Sequence, residues 1–327
     1  MMRILVTGGA GFIGSAYVRG LLAGAYPGTD GARVTVLDNL GYAGRRDNLP
    51  AAHPRLEFAE GDVRDTALLA ALVPGHDLVA HFAAESHVDR SLAAAGDFLR
   101  TNVEGTGAVL QACADARVAR VVHVSTDEVY GSIDDGAWTE DSPLLPNSPY
   151  AASKAASDLV ARAYWRTHGL DVSITRCCNN YGPRQHPEKV IPLFVTNLLR
   201  DRPVPLYGDG RNVREWLHVD DHCRAVHAVL TGGRAGAVYH VGGGTGLSNL
   251  ELTRRLLELC GAGERLVRRV PDRKGHDRRY ALDDSRIRTE LGWAPRVPFD
   301  TGLAATVAWY RENPGWWAAS ASRAAAL

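Results

Sequence analysis

The sequence predicts an α/β fold: a doubly wound parallel sheet covered by helices on both faces, with a smaller C-terminal substrate-binding domain. Three observations carry that expectation. Short β-branched runs alternate with longer amphipathic stretches through the first half of the chain, a glycine-rich turn follows the first run, and an aspartate closes the second.

In chain order, "RILVTG", "RVTVLD", "LEFAEGD", "DLVAHFAA", "VVHVST" and "DVSITR" read as strands. "TALLAALV" and "TNVEGTGAVLQACADA" read as helices between them. Beyond Cys177 the chain is richer in Pro, Arg and Gly, as in "NNYGPRQHPEKVIP" and "VRRVPDRKGHDRRYAL", a composition suited to a lid over a ligand crevice. "VDDHCRAVHAVLTGG" and "AVYHVG" return to the sheet as a helix and a strand. The predicted division is residues 1–178 plus about 215–243 for the sheet domain and about 179–214 plus 244–316 for the second domain, with 317–327 a frayed tail.

The 37 basic residues balance 37 acidic ones, so nothing in the charge favours nucleic acid or an anionic membrane. An anion must be held by a local site. The N-terminus lacks a signal peptide's apolar core, and no apolar run reaches spanning length, which predicts a cytoplasmic protein. Five cysteines, Cys113, Cys177, Cys178, Cys223 and Cys260, form no CxxC and read as reduced, mostly buried thiols; no His or Cys pair has zinc-ligand spacing.

Gly8, Gly11 and Gly14 stand in "TGGAGFIG", between the first strand and the helical "SAYVRGLLAG". The spacing is GxxGxxG, and this strand, turn and helix form a Rossmann-type dinucleotide fingerprint. Gly8 permits the turn, Gly11 lets the backbone approach a pyrophosphate, and Gly14 packs helix on strand; the anion then meets the helix N-terminus. Asp38 ends the second strand, where a carboxylate accepts ribose hydroxyls and repels a 2′-phosphate, favouring NAD over NADP. Arg45 and Arg46 follow and could favour NADP, although a solvated charge cluster is the reading preferred here. Asp62, after the third strand, is placed to meet adenine.

Tyr150 and Lys154 share a helix face in "SPYAASKAASDLVARAY", where a lysine ammonium favours the phenolate and makes a tyrosine base plausible. Thr126 ends the fifth strand, at the sheet edge where ligands of this fold bind. Asp127 and Glu128 follow it directly; neighbours in an extended strand point to opposite faces, so the chain must turn here for both to serve one ligand. Alternatively the pair is a solvated loop.

With the glycine turn, the threonine and YxxxK in this order, the chain resembles the extended short-chain dehydrogenase/reductase family over essentially its whole length, and within it the nucleotide-sugar 4,6-dehydratases. "TGGAGFIGS", "HFAAESHVDRS", "STDEVYGS", "SPYAASKAASD", "NNYGPRQHPEKVIP", "REWLHVDDHCRA" and "DRKGHDRRYA" carry the likeness. It implies a lyase that dehydrates dTDP-glucose with bound NAD, in which Tyr150 is the base at the sugar 4-hydroxyl with Thr126 sharing its hydrogen bond. Lys154 supports Tyr150, Glu128 takes the C5 proton, and Asp127 protonates the departing 6-hydroxyl. A 4-epimerase needs no such pair; a 4-epimerase, a nucleotide-glucuronate decarboxylase and a non-catalytic NAD-binding regulator are the alternatives. The segment between "EVYGS" and "SPYAASK" is short for a housekeeping member of the family, which hints at a deoxysugar pathway of an actinobacterial type.

The resemblance also implies coenzyme contacts from Phe12, Ile13, Asn39, Leu40, Asp62, Val63, Ala83, Ala84, Ser86, Thr101 and Asn180. Substrate contacts fall on His87, Asn179, Lys189, Val190, Pro205, Tyr207, Arg214, Asn249, Arg273 and His276, with His87 equally readable as a crevice-wall residue. Arg278 and Arg279 read as structural ion-pair partners. Surplus apolar residues on "TNVEGTGAVLQACADA" and the Tyr150 helix imply a homodimer through a four-helix bundle; alternatively they only cover the sheet.

Overall fold

In the computed structural model, which describes residues 1–318, the six expected runs form strands β1 (Arg3–Thr7), β2 (Arg33–Asp38), β3 (Leu56–Glu60), β4 (Leu78–His81), β5 (Arg120–Thr126) and β6 (Val172–Cys177). The second half adds β7 (Asn179–Tyr181), β8 (Val204–Tyr207), β9 (Val213–His218), β10 (Val238–Val241), β11 (Thr245–Ser248) and β12 (Val267–Val270). A seven-stranded sheet has the order β10-β6-β5-β4-β1-β2-β3, every pair parallel. The order reverses between β1 and β4, and the carboxyl ends of β1, β4 and β5 meet at that switch point, where a crevice forms.

The strand period sorts the core. Ile4 and Val6 pack on one face with Tyr17, Val18 and Leu21 of the Phe12–Leu22 helix and Val226 and Leu230 of the Val219–Gly232 helix. Leu5 joins the other face with Leu69, Leu110 and Ala161. All three β1 residues are fully buried, which is why "RILV" carries no polar alternation.

The helix that carries Tyr150 is bounded by its own sequence. Ser148 accepts from the Ala151 N–H at 3.1 Å, Pro149 takes the first helical position, and Gly169 closes Pro149–His168 with a φ of 64°. Tyr150 therefore sits in the first turn, beside the end of β5. "TNVEGTGAVLQACADA" is helical as expected, but its first residues belong to a π-helix, Leu99–Glu104, that precedes the α-helix Gly105–Asp115.

The second half builds a three-stranded sheet, β11-β9-β7, and a β12-β8 pair. They share a separate apolar core with Ile191, Phe194, Trp216, Leu256, Leu303 and Tyr310. β10 returns to the large sheet beside β6, as "AVYHVG" predicted. Trp317, assigned to the frayed tail by sequence, is buried, and its indole donates to the Tyr310 carbonyl at 2.7 Å. Residues 319–327 of that tail lie outside the described residues. Among the described residues no helix is long and apolar enough to cross a membrane.

Candidate active site

A cleft opens along the carboxyl ends of β1, β2, β4, β5 and β6. Its floor at one end is the glycine turn. Gly8 has a φ of +70°, and a Cβ there would lie 2.6 Å from the Ala83 nitrogen; one on Gly14 would lie 2.3 Å from the Gly8 carbonyl oxygen. The turn and the first helix can only close this tightly without side chains. Asp38 is buried, with Oδ2 accepting from the Ala10 N–H and Oδ1 from the Leu40 N–H, both at 2.9 Å. Burial raises its pKa against those bonds.

Gly8, Gly11, Phe12, Ile13, Gly14, Asp38, Asn39, Val63, Ala83, Ala84, Ser86, Thr101 and Asn180 all line the cleft. Leu40 and Asp62 are not among its lining residues. Leu40 adopts a left-handed φ of 51° to give its N–H to Asp38. Asp62 pairs with Arg64 at 2.7 Å and accepts from Asn39 at 3.2 Å, and Arg64 beside it holds its carboxyl down to about 2. Arg45 and Arg46 are not a solvated cluster: Arg45 lies over Trp316 at 4.6 Å and donates to its carbonyl, and Arg46 lies over Phe58 at 5.0 Å.

At the end of β5 the chain turns into a 3-10 helix, Asp127–Tyr130, supplying the change of direction the two carboxylates require. The Thr126 hydroxyl donates to Asp127 Oδ1 at 3.2 Å and accepts from the Glu128 N–H at 3.3 Å. Asp127 is 2% exposed, and its Oδ2 has no partner. Burial, then the charges of Glu128 and Glu215, push its pKa well above the carboxylate range. Burial also raises Glu128, while Arg273, Arg214 and Lys189 pull it back. Thr126, Asp127, Glu128, Tyr150 and Lys154 line one stretch of the cleft.

The phenol of Tyr150 is raised by burial and by Glu128, and the neighbouring Thr126 side chain opposes the rise. Lys154 donates to the Val124 carbonyl at 2.7 Å, so its ammonium is docked on the strand; burial lowers its pKa to about 8, against the pull of Asp158. Asp158, a further turn along the helix, is buried with Arg176 at 2.8 Å and His123 at 3.3 Å.

Asn179 and Lys189 carry the cleft toward the second half, with Lys189 donating to the Ser86 carbonyl at 2.6 Å. His87, Val190, Pro205, Tyr207, Arg214, Asn249, Arg273 and His276 do not line it. Arg214 and Arg273 are nonetheless near enough to act on Glu128. Arg214 lies over Tyr280 at 4.1 Å and donates to the Asp277 carbonyl at 2.8 Å. Arg273 stands 3.8 Å from Asp89, Tyr207 faces His276 edge-on at 6.2 Å, and His276 bonds Asp272 at 2.6 Å. His87 is 3.7 Å from Glu188. Val190 opens the Val190–Leu198 helix, and Asn249 opens Asn249–Cys260 with its N–H on the Asn212 carbonyl. Pro205 pairs across to Arg268 in β12. Arg278 forms the expected ion pair, with Asp209, but Arg279 donates to the Gly136 carbonyl instead.

Sequence reasoning missed Tyr42, Gln185 and His186, which also line the cleft. Arg90 lies over the Tyr42 ring at 4.3 Å and bonds Glu188 at 2.5 and 3.0 Å, tying the loops after β2, β4 and β7 together. The signal was the aromatic between glycines in "NLGYAG", directly after Asp38. All five cysteines are free thiols, four of them buried. Among the described residues no group of three or more His, Cys, Asp or Glu side chains could hold a metal ion.

A doubly wound sheet with a glycine turn, an acidic end to β2, and Thr126, Tyr150 and Lys154 around one cleft defines an extended short-chain dehydrogenase/reductase. Within that class the chain belongs to the family described as GDP-mannose 4,6 dehydratase, whose model matches residues 5–306. It is 60% identical over 318 residues to a dTDP-glucose 4,6-dehydratase of Streptomyces niveus, covering 97% of this chain and 95% of that one. The crystal structure of DesIV, a dTDP-glucose 4,6-dehydratase from Streptomyces venezuelae with NAD and dTDP bound, is 67% identical, with a TM-score of 0.96 and coverage of 97% and 99%. A UDP-glucose 4-epimerase from Thermotoga maritima shares the fold at 32% identity, with a TM-score of 0.88 and coverage of 96% and 100%.

Proposed function

We propose that the protein is an NAD-dependent dTDP-glucose 4,6-dehydratase, a hydro-lyase of deoxysugar biosynthesis that yields dTDP-4-keto-6-deoxyglucose and water. The observation that carries this reading is the pair of buried Asp127 and half-buried Glu128 beside Thr126, Tyr150 and Lys154 on one stretch of the cleft. A dehydration needs an acid and a second base that a simple oxidation does not.

The side-chain-free turn at Gly8 and Gly14 and the fixed carboxylate of Asp38 fit a dinucleotide. Bound NAD supplies a hydride acceptor for the sugar C4 and returns that hydride to C6. Tyr150 takes the 4-hydroxyl proton, with Thr126 sharing its hydrogen bond. The ketone acidifies C5, Glu128 takes that proton, and Asp127, kept in its acid form by burial, protonates the leaving 6-hydroxyl. Lys154 fixes the end of β5 through Val124 and adds positive charge behind the phenol. Lys189, Arg214 and Arg273 hold the diphosphate, with Tyr207, Pro205, His276, Asn249, Val190, Asn179 and His87 around the sugar and nucleoside.

The reading includes two lobes, supported by their separate cores, with β9 grouped with the substrate lobe's sheet. It also includes a cytoplasmic homodimer, supported by Leu159, 57% exposed on the Tyr150 helix, one of the two helices expected to pair. The test is incubation with dTDP-glucose and mass spectrometry of the product, beside Glu128→Gln. Loss of water by the parent protein and little by the variant is expected; an epimer of unchanged mass overturns the proposal.

A further inference from the structure

The dehydratase reading makes a demand on the cleft that is separate from its chemistry. The hydride that leaves C4 returns to C6 of the same sugar, so the coenzyme must stay in place between the two transfers. Release of NADH in that interval would strand an oxidised sugar with no hydride to return. The coenzyme end of the cleft must therefore open more slowly than the reaction runs.

Two loops form its walls there. The loop after β2 lines it with Asn39, Gly41, Tyr42, Ala43 and Gly44, and the loop after β7 with Gln185 and His186; Tyr42 meets His186 edge-on at 5.6 Å. The end of the Phe299–Glu312 helix and the residues after it touch both loops. On one side the Trp316 indole donates to Asn48 Oδ1 at 3.1 Å, and Arg45 lies over the Trp316 ring at 4.6 Å and donates to its carbonyl at 2.6 Å. Asn48 Nδ2 and the Arg45 N–H donate in turn to the Ala10 carbonyl of the glycine turn, at 2.9 and 3.0 Å. On the other side the Tyr310 hydroxyl donates to the Gln185 carbonyl at 2.5 Å, and Arg184 lies over Trp309 at 5.4 Å. Trp309 stands edge-on to Tyr310 at 5.0 Å and to Trp316 at 5.1 Å, which joins the two sides by ring contact.

We propose that Trp309, Tyr310 and Trp316 form a clasp that holds the two coenzyme loops together, with Arg45 and Asn48 as the positioning residues that couple it to the glycine turn, so that NAD is retained through each turnover. Parting the loop after β2 from the loop after β7 breaks a cation–π contact, hydrogen bonds and aromatic contacts at once. This inference rests on the dehydratase reading above.

The test loads the protein with NAD and measures coenzyme dissociation, in the absence of sugar, for the parent, Trp316→Ala, Trp316→Phe and Arg45→Met. Dissociation from Trp316→Ala and Arg45→Met is expected to be about tenfold faster or more, and Trp316→Phe, which keeps a ring but loses the indole donor, should lie between them and the parent. During turnover of dTDP-glucose, NADH absorbing at 340 nm should appear in the ultrafiltrate of the fast-releasing variants and be absent from that of the parent, and added NAD should restore their steady-state rate. Arg45, with a partly exposed side chain, carries the test if Trp316→Ala does not fold. Folded variants that keep NAD as long as the parent, with a lower melting temperature alone, would mean that the cluster serves stability and would overturn the clasp. Failure of the parent to release water from dTDP-glucose overturns the dehydratase reading instead, and the sugar-free dissociation rates still decide whether the clasp holds the coenzyme.

Discussion

The two ends of the cleft are finished to different degrees. At the coenzyme end the charged groups already have protein partners: Asp38 is held by two backbone N–H groups, and Asp62 by Arg64 and Asn39. At the sugar end Asp127 Oδ2, Asn179 Oδ1, His87 Nδ1 and Arg273 Nε are buried without partners, whereas at the coenzyme end the uncharged Asn180 Oδ1 is in that condition. A buried polar atom left unsatisfied costs free energy unless a ligand completes it. The contrast suggests that the first end is shaped ahead of binding and the second is completed by each substrate.

The largest effect expected falls at the sugar end. Tyr150→Phe removes the group that takes the 4-hydroxyl proton and should lower turnover about 10³-fold, measured by product formation, with binding of the nucleotide sugar retained. A fall of only a few-fold would break the assignment of the base. Next comes Arg214→Ala, which leaves a diphosphate without a buried donor and should raise KM for dTDP-glucose about tenfold or more, with a smaller change in kcat.

Asp127 offers a pH test with a defined sign. Its folded-state pKa is raised, so the folded protein favours the acid form. Above the ordinary carboxylate range the unfolded chain ionises and folding carries a penalty; below that range both states are protonated and the penalty vanishes. Asp127→Asn should therefore melt about 2 °C or more above the parent near neutral pH, with the difference closing in acid, while losing most of its activity. In the parent enzyme kcat should fall as pH rises through the aspartate's raised pKa. The smallest effect is at the coenzyme end: Arg64→Ala breaks a partly exposed pair and should move the melting temperature by less than about 1 °C and NAD affinity by less than about threefold. A larger loss would show that Asp62 depends on Arg64 to serve the adenine.

Much of this was legible in the sequence for a physical reason. A strand buried on both faces needs a nearly continuous apolar run, so β1 announced itself, and Ser148, Pro149 and Gly169 mark both ends of the Tyr150 helix. The turn after Thr126 followed from the need to bring two adjacent carboxylates to one side. Contacts between distant segments were less visible. Nothing local indicates that Lys154 would dock on the Val124 carbonyl, that Arg90 would join Tyr42 to Glu188, or that Arg45 would pack on Trp316. β7, with three residues, is too short to carry a periodic signal of its own.

The position of β10 has a consequence for how the molecule is made. The strand that completes the large sheet, Val238–Val241, is synthesised only after β7, β8 and β9, so β6 has no outer neighbour while the substrate half emerges from the ribosome. A chain ending near residue 178 would expose that edge with every backbone donor and acceptor along it free to pair with another copy. The nascent enzyme thus passes through an aggregation-prone stage whose length is set by translation of about 60 residues at ~5–20 per second, several seconds during which chaperone cover matters most.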